Sequence, residues 1–204
     1  ILMTGGTYKP SKMRQNKDLS PEQNTIDRRL QSFTIPVNVA IFGSFTVNDL
    51  YSSTPEATTG EDTYEKLTSL GDKTLVADGD IETILKNRNE NHMTDKNKNG
   101  LIEPWEFQNP TILSGDIKAS EKERNVYHVV YSNAESTGTS ATLNNDVVLD
   151  GITIMNGETM TQLKTEEGGT DEVAEIGRGG GIYTNRVNYT LNRCRLMKNS
   201  GLHG

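Results

Sequence analysis

Cysteine, aromatic residues and long apolar runs are what this chain has least of. Among its 204 residues there is one cysteine, and 6% are aromatic and 32% hydrophobic. A lone Cys194 excludes a disulfide framework and a cysteine-based metal site. Its neighbours Arg193 and Arg195 could activate a thiol, but in an alternating stretch it reads as a small buried hydrophobe. No run approaches the roughly 18 apolar residues that a membrane-spanning helix needs. Positive charge is also short, since 21 Lys+Arg stand against 28 Asp+Glu for a net charge of −7. Nucleic-acid binding would need a basic stripe to displace counterions, and an anionic membrane surface would repel the chain. Histidines occur only at 92, 128 and 203. They are too scattered for a ligand cluster, and His128 reads as structural.

So few apolar residues cannot fill a large conventional core, yet the charge is too low for a plainly disordered chain. The length suits one domain, or one domain with an insertion. A fold that buries narrow rows of small and β-branched residues fits best. The opening residues Ile1 to Gly6 carry no charged region ahead of an apolar core, so no signal peptide is read there. With no initiating Met, the chain reads as a piece of a longer protein, truncated at its C-terminus.

Three regions follow. Residues 1–45 hold polar, weakly periodic sequence and then the first clear strands. A short helix is expected over 21–30. Ser32 to Ile35 reads as a strand that resumes beyond Pro36, where Val37, Val39 and Ile41 share one face by period-two alternation. Residues 46–109 read as an insertion, polar at first. The spacing of Ile81, Ile84 and Leu85 then predicts a helix near 80–91, with Asp80 able to cap its start. Residues 110–204 return to short β segments at 111–117, 125–131, 147–154, 179–183 and 189–197.

Two of these segments superimpose, Leu149 to Met155 over Leu191 to Met197, with six of seven positions matched in character and the third, Gly151 over Arg193, unconstrained. Repeated short strands without intervening helices predict a solenoid. The expected fold class is all-β, a right-handed parallel β-helix fragment with a small helical calcium-loop insertion. Ile152 and Ile154 would then stack on Cys194 and Leu196. Asp150-Gly151 and Asn192-Arg193 would form matching bends.

The most specific motif lies in the insertion. Asp95 to Glu106 satisfies D-x-[DN]-x-[DN]-G-x₅-E without a mismatch. Ca²⁺ takes six to eight hard oxygens, and Asp95, Asn97 and Asn99 offer them from alternate residues of a tight loop. Gly100 permits the turn that presents the Leu101 carbonyl. Glu103 can act through a water, and Glu106 can close the site with both oxygens. By average residue usage the pattern arises by chance in on the order of 10⁻³ of chains this long. The plain alternative is a solvated loop rich in Asn, Asp and Lys. An unpaired loop with two amide ligands suggests a structural, extracellular-type site, with a dissociation constant of about 10⁻⁵–10⁻³ M.

Taken in order, several segments are similar to a known group: Gly6-Thr7-Tyr8-Lys9-Pro10, Ser32 to Ile35, Val39 to Phe45, Thr111 to Ile117, Tyr127 to Val130, Leu149 to Ile154, and Gly179 to Tyr183. They resemble the N-terminal part of secreted or surface right-handed parallel β-helix proteins of Bacteroidetes. These are related to polymorphic outer-membrane-protein repeats and to pectate-lyase-like solenoids. Ser44 departs from the resemblance, standing where a second Gly is usual, and 46–109 replaces a shorter connection. The resemblance implies an extracellular or outer-membrane location and an adhesin-like role. It implies no reaction.

Three functions remain in view. The first is a module contacting glycans or surface proteins, stabilised by calcium. The second is a polysaccharide lyase or glycoside hydrolase, for which Asp116, Asp146, Asp150, Arg178, Arg193 and Arg195 are the candidates. No second catalytic group can be placed beside any of them, and Arg193 and Arg195 read as outward-facing, so no catalytic residue is assigned. The third is a stalk or cap segment that associates with the rest of its own chain or with an outer-membrane complex.

Overall fold

The computed structural model describes residues 1–11, 28–46, 49, 81–117, 124–134, 145–159 and 178–201. Residues 21–27 of the expected short helix, and Asp80, the expected cap of the helix near 80–91, lie outside the described residues; Arg28–Leu30 form one 3-10 turn. The described strands are β1 (Leu2–Thr4), β2 (Gly6–Tyr8), β3 (Phe33–Thr34), β4 (Val39–Phe45), β5 (Thr111–Ser114), β6 (Val130–Asn133), β7 (Asp146–Asp150), β8 (Ile152–Met155), β9 (Ile182–Asn185), β10 (Asn188–Asn192) and β11 (Arg195–Met197). Among the described residues, the α-helix α1 (Ile81–His92) lies between β4 and β5.

The strands form three sheets, in the orders β1-β4-β7-β10, β11-β8-β5-β2 and β3-β6-β9. Every strand pair is parallel. Parallel neighbours need a long crossover between them. Here the strands of the other two sheets supply it, because the chain gives successive strands to the sheets in rotation. The expected all-β right-handed parallel β-helix is corrected by this arrangement. The three sheets are open and do not close on one another, and helix makes up 14% of the structure beside 42% strand. Backbone hydrogen bonding explains the difference. Each ladder is satisfied along its own sheet and ends in edge strands, while the buried Arg88 of α1 ties the helix to β4 and β7.

Within the sheets, side-chain rows are in register. Ile41 pairs with Leu149 and Leu149 with Leu191; Leu113 pairs with Ile154 and Ile154 with Leu196. The two segments that superimpose in sequence are therefore hydrogen-bonded neighbours. Leu149 and Ile154 are fully buried, whereas Leu191 and Leu196 on the edge strands are 41% and 49% exposed. A single apolar cluster draws Ile41, Val147 and Leu149 from one sheet, Leu113, Ile152 and Ile154 from the second, and Val130 from the third. Each such aliphatic side chain contributes about 1.5–3 kcal/mol on burial.

Bends between sheets fall at matching positions. Gly151 (φ 69°) separates β7 from β8, and Arg193 (φ 49°) separates β10 from β11. Glycine adopts the left-handed region freely, while a residue with a Cβ loses about 1–2 kcal/mol there. Ser44 (φ 66°) also takes this conformation. Its Oγ donates to the Gly151 carbonyl at 2.8 Å, and its N–H donates to Thr111 Oγ1 at 2.7 Å. The expected strand at 125–131 is displaced. Val126 to Val129 are buried but irregular, and β6 begins only at Val130.

Two carboxylates make the fold acid-sensitive. Burial raises the Glu158 pKa, but the Asn125 N–H and the Arg124 guanidinium outweigh it and hold it below 4.5. Burial acts likewise on Asp49, where Thr46 and His92 hydrogen bonds hold the pKa below 3.8. A depressed folded pKa contributes stability above the unfolded value that disappears as pH falls through the folded one. Urea midpoints should therefore decline as pH falls from about 5 towards 3, and Glu158→Gln should flatten that decline. An unchanged slope in Glu158→Gln would contradict the assignment.

Candidate metal centre

Helix α1 leads directly into the loop that the sequence singles out. Its apolar stripe is not what buries it. Ile81 is 41% exposed, whereas Arg88, at i+7, is 1% exposed. The Arg88 guanidinium donates to Asp150 Oδ1 at 2.6 Å and to the Gly43 carbonyl at 2.9 Å. Its charge lies 5.2 Å from the Phe45 ring and 4.9 Å from the Phe107 ring. Burial lowers its pKa from the ordinary guanidinium value, and the bond to Asp150 opposes that shift. Arg193 completes the cluster through Nε to Asp150 Oδ1 at 3.0 Å and a second contact to Oδ2. Asp150 thus keeps its place at the expected bend and is also the buried centre of a three-residue ion cluster, in which Arg193 is ion-paired and only partly exposed.

A short neck closes the loop. Met93 and Phe107 form an antiparallel bridge, with Thr94 N–H on the Glu106 carbonyl (2.8 Å) and Gln108 N–H on the His92 carbonyl (2.7 Å). Phe107 is 1% exposed and lies against Arg88, so the neck is fixed to the ion cluster. At Glu103 to Glu106 the chain makes a turn and not a helix, with Glu106 N–H on the Glu103 carbonyl at 3.0 Å.

Inside the loop the acidic oxygens accept from backbone donors. Glu106 is 4% exposed. Its Oε1 accepts from Lys96 N–H (3.2 Å) and Asn97 N–H (3.1 Å), and its Oε2 from Glu103 N–H (3.1 Å). Asp95 accepts from Asn99 N–H at 3.1 Å and Gly100 N–H at 2.8 Å. Gly100, at φ 85°, makes the reversal that aims both donors at Asp95. Asn97 Oδ1 and Asn99 Oδ1 accept from Asn99 N–H (3.0 Å) and Leu101 N–H (2.8 Å). Glu103 instead accepts from the side-chain amides of Asn97 (2.7 Å) and Asn99 (3.1 Å).

All six expected positions thus belong to one hydrogen-bonded loop, although no three His, Cys, Asp or Glu side chains converge on a point among the described residues. The donor set still fits a hard divalent cation. It offers three carboxylates, two amide oxygens and one carbonyl, and a carboxylate keeps free lone pairs after one or two N–H bonds. The two Asn-to-Glu103 bonds are the contacts a cation would replace.

The remaining candidates are dispersed. Asp116 lies 3.7 Å from Lys9, and Asp146 accepts from Asn188 at 3.1 Å on the rim of the first sheet. Arg178 is exposed, and Arg195 projects from β11 beside the loop. His128 is 1% exposed, with its ring 4.9 Å from Tyr183 and its Nδ1 3.2 Å from the Gly179 carbonyl. Cys194 is half-buried; burial raises its pKa, and its thiol donates to the Leu149 carbonyl at 3.3 Å. Sequence reasoning missed Arg88 as an anchor. The available signal was a cation on the same helical stripe as Ile81 and Ile84. Comparison with protein-family models, curated proteins and solved structures found no match to this chain.

Proposed function

We propose that this chain is a calcium-stabilised binding module of a secreted or outer-membrane surface protein, contacting glycans or surface ligands. The observation that carries the reading is Glu106. Its carboxylate is buried in the loop and oriented by three backbone N–H groups, an arrangement that supports its reading as the closing ligand of the motif. Asp95, Asn97, Asn99, the Leu101 carbonyl and Glu103 would complete the set for Ca²⁺, which would supply a rigid positive centre cross-linking the loop. The neck and Arg88 would pass that rigidity to the sheets.

Binding without turnover is favoured over a lyase or hydrolase because the strongest acidic candidate, Asp150, is occupied by Arg88 and Arg193. A depolymerisation assay on acidic and neutral polysaccharides in saturating calcium tests this. Retention of a glycan without new reducing ends or unsaturated products is the expected result. Turnover that disappears on calcium removal would overturn it.

A further inference from the structure

The loop and the outer face of the second sheet enclose a cleft of about 340 Å³. One wall comes from the loop, with Lys96 and Trp105, and the floor from Ile112 of β5 and Thr153 of β8. Arg195 of β11 forms the far side. The register places Ile112, Thr153 and Arg195 in one row across three adjacent strands, so the cations of loop and sheet face a common floor.

Charge distinguishes this cleft from the rest of the surface. The chain carries a net charge of −7, yet the cleft presents two cations. Neither Lys96 nor Arg195 is ion-paired among the described residues. The single carboxylate in its lining, Glu106, faces the loop's own N–H groups. The Thr153 hydroxyl has no hydrogen-bond partner among the described residues, and Trp105 is 39% exposed. A flat aromatic ring, a hydroxyl and two cations without partners among the described residues, around a small cleft, match one chemistry. The ring covers the C–H face of a pyranose, the hydroxyl bonds a sugar hydroxyl, and the cations take a charged substituent.

We propose that the cleft between the 95–106 loop and the second sheet binds an acidic saccharide, with Trp105 stacking on the sugar and Lys96 and Arg195 holding its anionic group. This rests on the binding role proposed above, and it names the ligand class. The anion is a carboxylate or a sulfate; both match the same two cations.

The test is calorimetric titration of the intact chain in saturating calcium with an oligouronate, a sulfated oligosaccharide, an uncharged oligosaccharide of equal length and an oligoglutamate peptide. Binding is expected for one or both anionic sugars, with the stronger identifying the substituent. Arg195→Gln and Lys96→Gln are each expected to weaken it about tenfold, with unchanged melting temperatures. Trp105→Ala is expected to weaken it further. No binding of either acidic sugar, binding indifferent to both cation replacements, or equal affinity for oligoglutamate would each overturn the proposal. A calcium titration of the same samples reads the loop independently. A normal calcium response without sugar binding defeats the cleft alone, whereas sugar binding without any calcium response defeats the metal reading alone.

Discussion

Asp150→Ala is expected to cost about 3–5 kcal/mol, a large share of the roughly 5–15 kcal/mol that holds a domain folded. The magnitude follows from what is left behind. The Arg88 side chain is 0% exposed and that of Asp150 is 2% exposed. Removing the carboxylate strands a guanidinium between Phe45 and Phe107, with the Gly43 carbonyl and Asn89 Oδ1 as neutral acceptors and no counter-ion. Arg193, with a side chain 31% exposed, can turn outward to water, but Arg88 cannot. Replacing both buried partners, Arg88→Met with Asp150→Leu, should cost far less than Asp150→Ala, because it removes the charge together with its counter-ion. Urea unfolding of the single and double variants checks the order. A loss below about 1 kcal/mol in Asp150→Ala would show that the cluster is solvated and does not anchor α1.

Gly157→Ala is expected to be comparably severe, at least about 3 kcal/mol, through overpacking. A Cβ at this position would lie 1.7 Å from the Gly180 carbonyl oxygen and 2.4 Å from its carbon. Both are backbone atoms, so no rotamer change relieves the clash. Adjacent strand layers would have to separate. That would break the bond from Ser200 N–H to the Gly157 carbonyl (2.9 Å) and the bond from Gly157 N–H to Asn199 Oδ1 (2.9 Å). Gly100→Ala is the matched control. Open space surrounds a Cβ there, and only the strain of φ 85° acts, worth about 1 kcal/mol. Thermal melts of both variants should differ clearly. Similar melting temperatures would mean that the layers at Gly157 are loosely packed.

Local signals in the sequence proved sufficient for local features. Apolar spacing placed a helix at 80–91, and α1 occupies Ile81–His92. The repeat at 149–155 and 191–197 gave the pairing of β7 with β10 and of β8 with β11, because matched residues in adjacent strands face the same environment. The bends at Gly151 and Arg193 followed from the same alignment. What failed depends on contacts distant in sequence. Arg88 meets Asp150 across 62 residues, and nothing near Arg88 marks it as buried rather than solvated. Hydrophobic alternation around His128 suggested a strand that begins five residues too early, at 125 where β6 begins at Val130. Those residues are buried by packing, with Tyr127 N–H on the Arg29 carbonyl and its ring under the Arg29 guanidinium at 3.9 Å. The fold class failed for a related reason: a repeat shows that strands stack but not whether the sheets they build close on one another.

The loop joins these threads. That Asp95 to Glu106 form one tight, hydrogen-bonded loop was legible from spacing, whereas its attachment to the sheets through Phe107, Arg88 and Asp150 was not. Calcium titration following Trp105 emission, with a melt at each end point, tests the account most directly. Trp105 is the only tryptophan and directly precedes Glu106. The account predicts a saturable emission change and a higher melting temperature, both lost in Glu106→Gln. Emission and melting temperature unchanged up to millimolar calcium would contradict it.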